Sequence, residues 1–219
     1  MNIYVVVEGA TEKSVYANWI PLVNPNLRYV NHPTEVSVNN FCIVSSMGYP
    51  YCFHVIDAAI EDANAMRIFD RLVILLDSED ASRDEKEAEI ASYMAPKYCS
   101  ATVLIAIQHF CFETWALANR RLIDPKPTSG ELRAYKTAFD VRTCDPELLP
   151  AYPRREWNRS QFAERYLIAA VQEKNARLTY DKARRTSFIA HPKYFDQVKR
   201  RHIETNHIPS FASFIHAFS

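Results

Sequence analysis

Two short aliphatic runs end in carboxylates. Ile3-Tyr4-Val5-Val6-Val7 leads into Glu8, with Glu12 shortly after, and Leu72-Val73-Ile74-Leu75-Leu76 leads into Asp77-Ser78-Glu79-Asp80. Carboxylate and water oxygens are what a hard divalent cation such as Mg²⁺ (or Mn²⁺) prefers. Mg²⁺ keeps several of its waters, so a small open carboxylate cluster suits it. The chemistry such a cluster could serve is attack on a phosphodiester, where a metal ion polarises the phosphate, orients a water and stabilises the leaving oxygen. Glu8 could instead act as general base, since crowded carboxylates raise one another's pKa when metal is absent. His109, one helical turn before Glu113, is weighed as a structural residue against a contact to metal or phosphate.

Such acids can meet only if backbone elements bring them to one place. Both runs are aliphatic without alternation, as expected of parallel strands buried on both faces, and open α/β sheets place ligands beyond the carboxyl ends of their strands. The pattern predicts strands at 3–7, 40–45, 72–76 and 102–107 and helices at 11–20, 52–67 and 82–95, with an irregular Asn- and Pro-rich stretch through 38 and a helix carrying Glu113 to about residue 121. Thr11 is expected to cap the first helix with Glu12 in its first turn, and Ser82 to cap the third, which exposes Asp84, Glu85, Lys86, Glu87 and Glu89. Gly9 is expected to permit a tight turn, and Trp19 and Trp115 to pack helices on the sheet. This alternation predicts an α/β fold, a mainly parallel sheet with helices on both faces.

Beyond residue 124 the chain changes character. Pro125, Pro127, Gly130, Pro146, Pro150 and Pro153 punctuate a loop-rich segment with a short helix at 130–136, and helical periodicity returns at 160–175 and 192–204. In the first of these Phe162, Tyr166, Leu167, Ala170 and Val171 form one apolar stripe. The reading is a core at 1–123 and a C-terminal helical extension at 124–219, packed on that core within the same globule.

The stretch Val7-Glu8-Gly9-Ala10-Thr11-Glu12-Lys13, the Asp77-Ser78-Glu79-Asp80 cluster and Phe110-Cys111-Phe112-Glu113-Thr114-Trp115 together resemble the TOPRIM domain, in particular small stand-alone and OLD-like TOPRIM nucleases of bacterial antiphage loci. The resemblance covers roughly residues 1–120 and implies a TOPRIM-like fold, Mg²⁺ or Mn²⁺ as cofactor, and a nuclease acting on DNA or RNA, with tRNA among the candidate substrates. It also implies a separate ABC-type ATPase as partner, because no Walker motif is present; a homo-oligomer stays open. The implied metal ligands are Glu8, Asp77, Glu79 or Asp80, and Glu113. One departure is that the family usually carries Asp at the second acidic position. Glu79 takes that place by spacing, whereas Asp80 takes it if the backbone turns sharply. The resemblance further implies a basic residue beside the metal, for which Lys182 is the candidate.

Two other function classes compete: a non-catalytic TOPRIM module docking to an ATPase subunit, and a phospho-acceptor receiver domain. The receiver reading is weakened because Glu8 is a single acid and no Lys follows a plausible fifth strand. With 48% hydrophobic and 24% charged residues among 219, and only 3 glycines, the chain reads as globular and not disordered. No apolar stretch approaches the ~20 residues that span a bilayer, and the N-terminus enters a strand without a basic leader, so a cytoplasmic protein with no membrane contact is expected. The five cysteines contain no Cys-x-x-Cys pair, which argues against zinc and for buried reduced thiols. Charge is divided along the chain: residues 1–150 hold 13 basic and 20 acidic residues, net −7, and residues 151–219 hold 13 and 6, net +7. A basic C-terminal segment could hold a polyanion through Arg154, Arg155, Arg159, Arg184, Arg185, Lys199, Arg200 and Arg201. The competing use is a docking face for an acidic partner.

Overall fold

In the computed structural model, which describes residues 1–176, 178, 180–181 and 187–219, the aliphatic runs form a five-stranded all-parallel sheet. Its strands are β1 Ile3–Val7, β2 Arg28–Val30, β3 Asn40–Ser45, β4 Arg71–Asp77 and β5 Thr102–Gln108, in the order β2-β3-β1-β4-β5. The described helices are α1 Ala10–Val23, α2 Cys52–Met66, α3 Arg83–Met94, α4 Phe112–Leu117, α5 Gly130–Ala138, α6 Arg159–Lys174, α7 Ser187–Ala190, α8 Pro192–Thr205 and α9 Phe211–Phe218. Strands β1 and β4 lie inside the sheet, and their residues from Val5 to Val7 and from Leu72 to Leu75 have no exposed surface, which is why neither run alternates. Parallel register sets Val7 beside Ser45 of β3 and beside Leu75 of β4.

The chain divides into two compact units, one of residues 1–76, 84–107 and 213–219, the other of residues 77–83 and 108–212. This division differs from a cut at 123/124, because α4 packs with α6 and so belongs with the later helices, while the final residues count with the sheet.

In the first unit, alternate strand residues Tyr4, Val6, Cys42, Leu72, Ile74 and Leu76 cluster with Ile56, Ala59 and Ala63 of α2 and with Ile90 and Met94 of α3. Helix α1 packs on β3, and its buried Tyr16 and Trp19 lie 5.0 and 6.3 Å from the ring of Phe214. Trp19 is thus buried against a helix residue, where packing on the sheet was expected. Several boundaries differ from expectation. The stretch read as irregular contains the short edge strand β2 and a 3-10 turn at Pro33–Glu35. Helix α1 starts at Ala10, so Gly9 and not Thr11 is the N-cap, and it continues through Pro21. Lys86 is buried, not part of an exposed face. Its ammonium sits 4.1 Å above the Tyr49 ring and bonds Glu89 at 2.9 Å, so the aliphatic stem is covered while the charge is paired.

In the second unit, α5 and α4 pack on α6. The expected α6 stripe from Phe162 to Val171 is buried, and Tyr135 meets Tyr152, Phe162 and Tyr166 at ring distances of 5.2, 5.4 and 5.8 Å. A capping box starts α6: the Asn158 side chain accepts from the Gln161 amide at 2.9 Å, and Gln161 accepts from the Asn158 amide at 3.0 Å. Trp115 packs edge-on against Phe211 and donates to Ser210 Oγ at 2.7 Å. Among the described residues no helix is long and apolar enough to cross a membrane.

Candidate active site

Glu8 leaves β1 at its carboxyl end and is half-buried. Its carbonyl oxygen accepts from the Gly48 amide at 3.2 Å and from the Ser46 and Ser45 hydroxyls at 3.3 and 3.4 Å, so the loop after β3 fixes the backbone there. Cys52 lies within its field. Burial first, and then the Glu8 charge, push that thiol up, and burial pushes Cys42 up to about 12, so both stay protonated as the composition suggested. Gly9 has φ −130°, open to any residue, so a tight turn does not explain it. A Cβ there would meet Oε2 of Glu12 at 2.7 Å. Glu12 is only 6% exposed, so the glycine makes room for a buried carboxylate in the first turn of α1.

The second acidic cluster is held by the chain that follows β5. Asp77 ends β4, is 9% exposed, and accepts a hydrogen bond from the Gln108 side-chain amide. The Ser78 amide donates to Gln108 O at 3.0 Å and the Glu79 amide to Phe110 O at 2.8 Å, after which the Ala81 amide closes back on Ser78 O at 3.0 Å. Glu79 takes φ +50°, so the chain turns sharply at the strand end. Both side chains are exposed, and Asp80 lies within electrostatic reach of Arg159.

His109 is committed at both ring nitrogens. Nδ1 lies 2.7 Å from Ser78 Oγ and Nε2 lies 3.1 Å from Arg159 Nη2. Guanidinium has no acceptor, so Nε2 takes that bond with its lone pair, and Nδ1 carries the proton and donates to Ser78. Burial, then the charges of Arg159 and Arg83, push the imidazole below its ordinary value, consistent with a neutral ring. His109 is thereby a brace for the Asp77–Ala81 turn, the structural role weighed above. No family model, curated protein or solved structure matches the chain.

Glu113 stands in the first turn of α4, 1% exposed, and accepts from the Tyr180 hydroxyl at 2.7 Å. Among the described residues no three or more His, Cys, Asp or Glu side chains are grouped to hold a metal ion. The sequence reading missed a further buried acid, Glu147, capped in place by Asp145 and accepting from both the amide and the hydroxyl of Ser210. Burial outweighs those bonds and pushes its carboxyl up to about 7. The only local signal was the Asp-Pro-Glu turn, which marks a cap and says nothing of burial.

The basic residues separate into different environments. Arg154 and Arg155 are exposed; Lys199 is half-buried; Arg200 is exposed and bonds Glu204 at 2.6 Å. Arg159 is half-buried, 4.0 Å above the Phe110 ring, and donates to Glu147 O at 3.1 Å. Arg201 does not join an exposed cluster: it is 1% exposed and donates to Val141 O and Cys144 O at 2.6 Å each. With its donors spent on backbone carbonyls it serves the core of this unit. Lys182, Arg184 and Arg185 lie outside the described residues.

Proposed function

We propose that this chain is a metal-dependent nuclease of TOPRIM type, hydrolysing phosphodiester bonds in DNA or RNA as the effector subunit of a bacterial antiphage system beside a separate ABC-type ATPase. The observation that carries the reading is that neighbouring parallel strands β1 and β4, in register at Val7 and Leu75, continue into Glu8 and Asp77 at their carboxyl ends. The donor chemistry fits Mg²⁺ or Mn²⁺. The two strand-end carboxylates are hard oxygen donors, and Mg²⁺ needs only one or two of them beside its waters and a substrate phosphate.

In this reading Glu8 and Asp77 would hold the ion; among the described residues no third carboxylate, from Glu79 or Asp80, is grouped with them. Bound there, the ion supplies positive charge to the phosphodiester. Gln108 orients Asp77, and the neutral His109, clamped by Arg159, holds Ser78 and with it the acidic turn. Glu113, buried and accepting from the Tyr180 hydroxyl, is not called on to hold the ion; the second reading is a non-catalytic module that docks to the ATPase subunit.

The test is incubation of the purified chain with single- and double-stranded DNA, RNA and tRNA in Mg²⁺ or Mn²⁺, with and without an ABC-type ATPase from the same locus where one is found. Cleavage that stops in EDTA supports the nuclease. Cleavage that persists in EDTA contradicts it, and a stable complex with the ATPase that never cleaves favours the docking module.

A further inference from the structure

The second unit contains a small basic cavity that the proposed chemistry leaves unused. It measures about 140 Å³ and is lined by Arg120, Arg121, Gln197, Arg200, Arg201 and Glu204. Four guanidinium groups surround one carboxylate, a formal charge of +3. Glu204 is shared, with Oε1 2.6 Å from Arg200 Nε and Oε2 3.6 Å from Arg120 Nη1. Arg201 is fixed in the lining by Val141 O, Cys144 O and His207 Nδ1 and cannot swing out to water. Burial, then the neighbouring charge of Arg120, push its pKa down to about 10, as expected where positive charge is incompletely balanced. Arg121 is exposed and forms no ion pair among the described residues.

A cavity of this size admits one small anion, and guanidinium forks match the oxygens of a phosphate through paired N–H donors. The Gln197 amide adds a neutral donor to the same lining. We propose that the cavity is a subsite for one backbone phosphate of a nucleic acid, contacted by Arg120 and Arg121, with Arg201 as a preset positive charge and Glu204 as the group that limits affinity. The identity of the polyanion rests on the nuclease reading, whereas binding requires neither metal nor cleavage. Arg120 and Arg121 lie within residues 1–150, whose linear count is acidic, so the basic C-terminal segment alone does not define the surface.

The test measures binding of fluorescent single-stranded and duplex oligonucleotides to the full chain in EDTA, by anisotropy across a salt series. Arg120→Gln/Arg121→Gln should weaken binding about tenfold at low salt. It should also lower the logarithmic salt slope by about 1.4 on single strands and about 1.8 on duplex, the effect of two lost phosphate contacts. Glu204→Gln should tighten binding several-fold, an outcome that misfolding does not produce. Arg28→Gln/Arg67→Gln, which removes the same charge from exposed positions of the other unit, should change neither quantity. The proposal is overturned if the cavity double variant behaves as this control, if Glu204→Gln leaves affinity unchanged, or if inorganic phosphate binds while oligonucleotides do not. Mg²⁺-dependent cleavage with an unchanged slope would overturn the subsite and leave the nuclease standing.

Discussion

Glu147→Gln should remove a pH-dependent weakness built into the second unit. Glu147 is 5% exposed, accepts from the amide and hydroxyl of Ser210, and is further faced by Asp145, which raises its pKa, and by Arg83, which lowers it. Ser210 Oγ in turn accepts from Trp115 Nε1 at 2.7 Å and from the His109 amide at 3.1 Å, so the acid anchors the segment that braces Asp77. Burial raises its pKa from 4.5 to about 7. Between those values the folded state binds more protons than the unfolded chain, so stability is greatest below pH 4.5 and falls as pH rises through 7. At 1.36 kcal/mol per pH unit the loss is about 3 kcal/mol, an upper figure for a group this buried. For a chain of this length that is about 6–12 °C in Tm. Gln keeps an oxygen for Ser210 and cannot ionise. Thermal melts from pH 5 to 8 should show the native protein losing stability relative to Glu147→Gln as pH rises, until the variant is the more stable at pH 8. Parallel pH profiles for the two proteins would refute the reasoning.

Gly9→Ala should cost about 1–2 kcal/mol by forcing the Glu12 carboxylate aside, and much of that cost should vanish in Gly9→Ala/Glu12→Ala, because the backbone at Gly9 already suits alanine. Urea titrations of the single and double variants measure this. Arg201→Met should destabilise by about 3 kcal/mol or more, since Val141 O and Cys144 O lose their donors inside the unit, whereas Arg200→Ala on the exposed side should stay within about 1 kcal/mol. Equal effects of the two substitutions would return Arg201 to the surface cluster.

The strands β1 and β4 were legible because they are buried on both faces and carry near-continuous aliphatic runs, and β3 because Phe41, Cys42 and Ile43 are buried in a row. Strand β2 was not, because its three residues at the sheet edge carry an exposed Arg28 and only half-buried neighbours. Helix α9 left a signal that went unread: Phe211, Phe214 and Phe218 recur at helical spacing and are fully buried. The misread charges have one physical cause. Lys86 shares a helical phase with Ile90 and Met94, and Arg201 with Tyr194 and Val198, so each falls on a buried stripe although neighbouring charges suggest a wet face. Glu8 and Asp77 were legible as strand-end acids. The brace behind Asp77 was not, because the bonds of Ser78, His109, Arg159, Glu147 and Ser210 join positions too far apart in sequence for any local pattern to reveal.

The most direct test of the central claim is a Mn²⁺ titration of the isolated chain, followed by the electron paramagnetic resonance of free Mn²⁺, which needs neither substrate nor partner. The account predicts saturable binding that Mg²⁺ displaces, lost or weakened at least about tenfold in Glu8→Ala and in Asp77→Ala while both variants remain folded, and unchanged in Arg154→Ala. Equal Mn²⁺ affinity in native protein, Glu8→Ala and Asp77→Ala would contradict it.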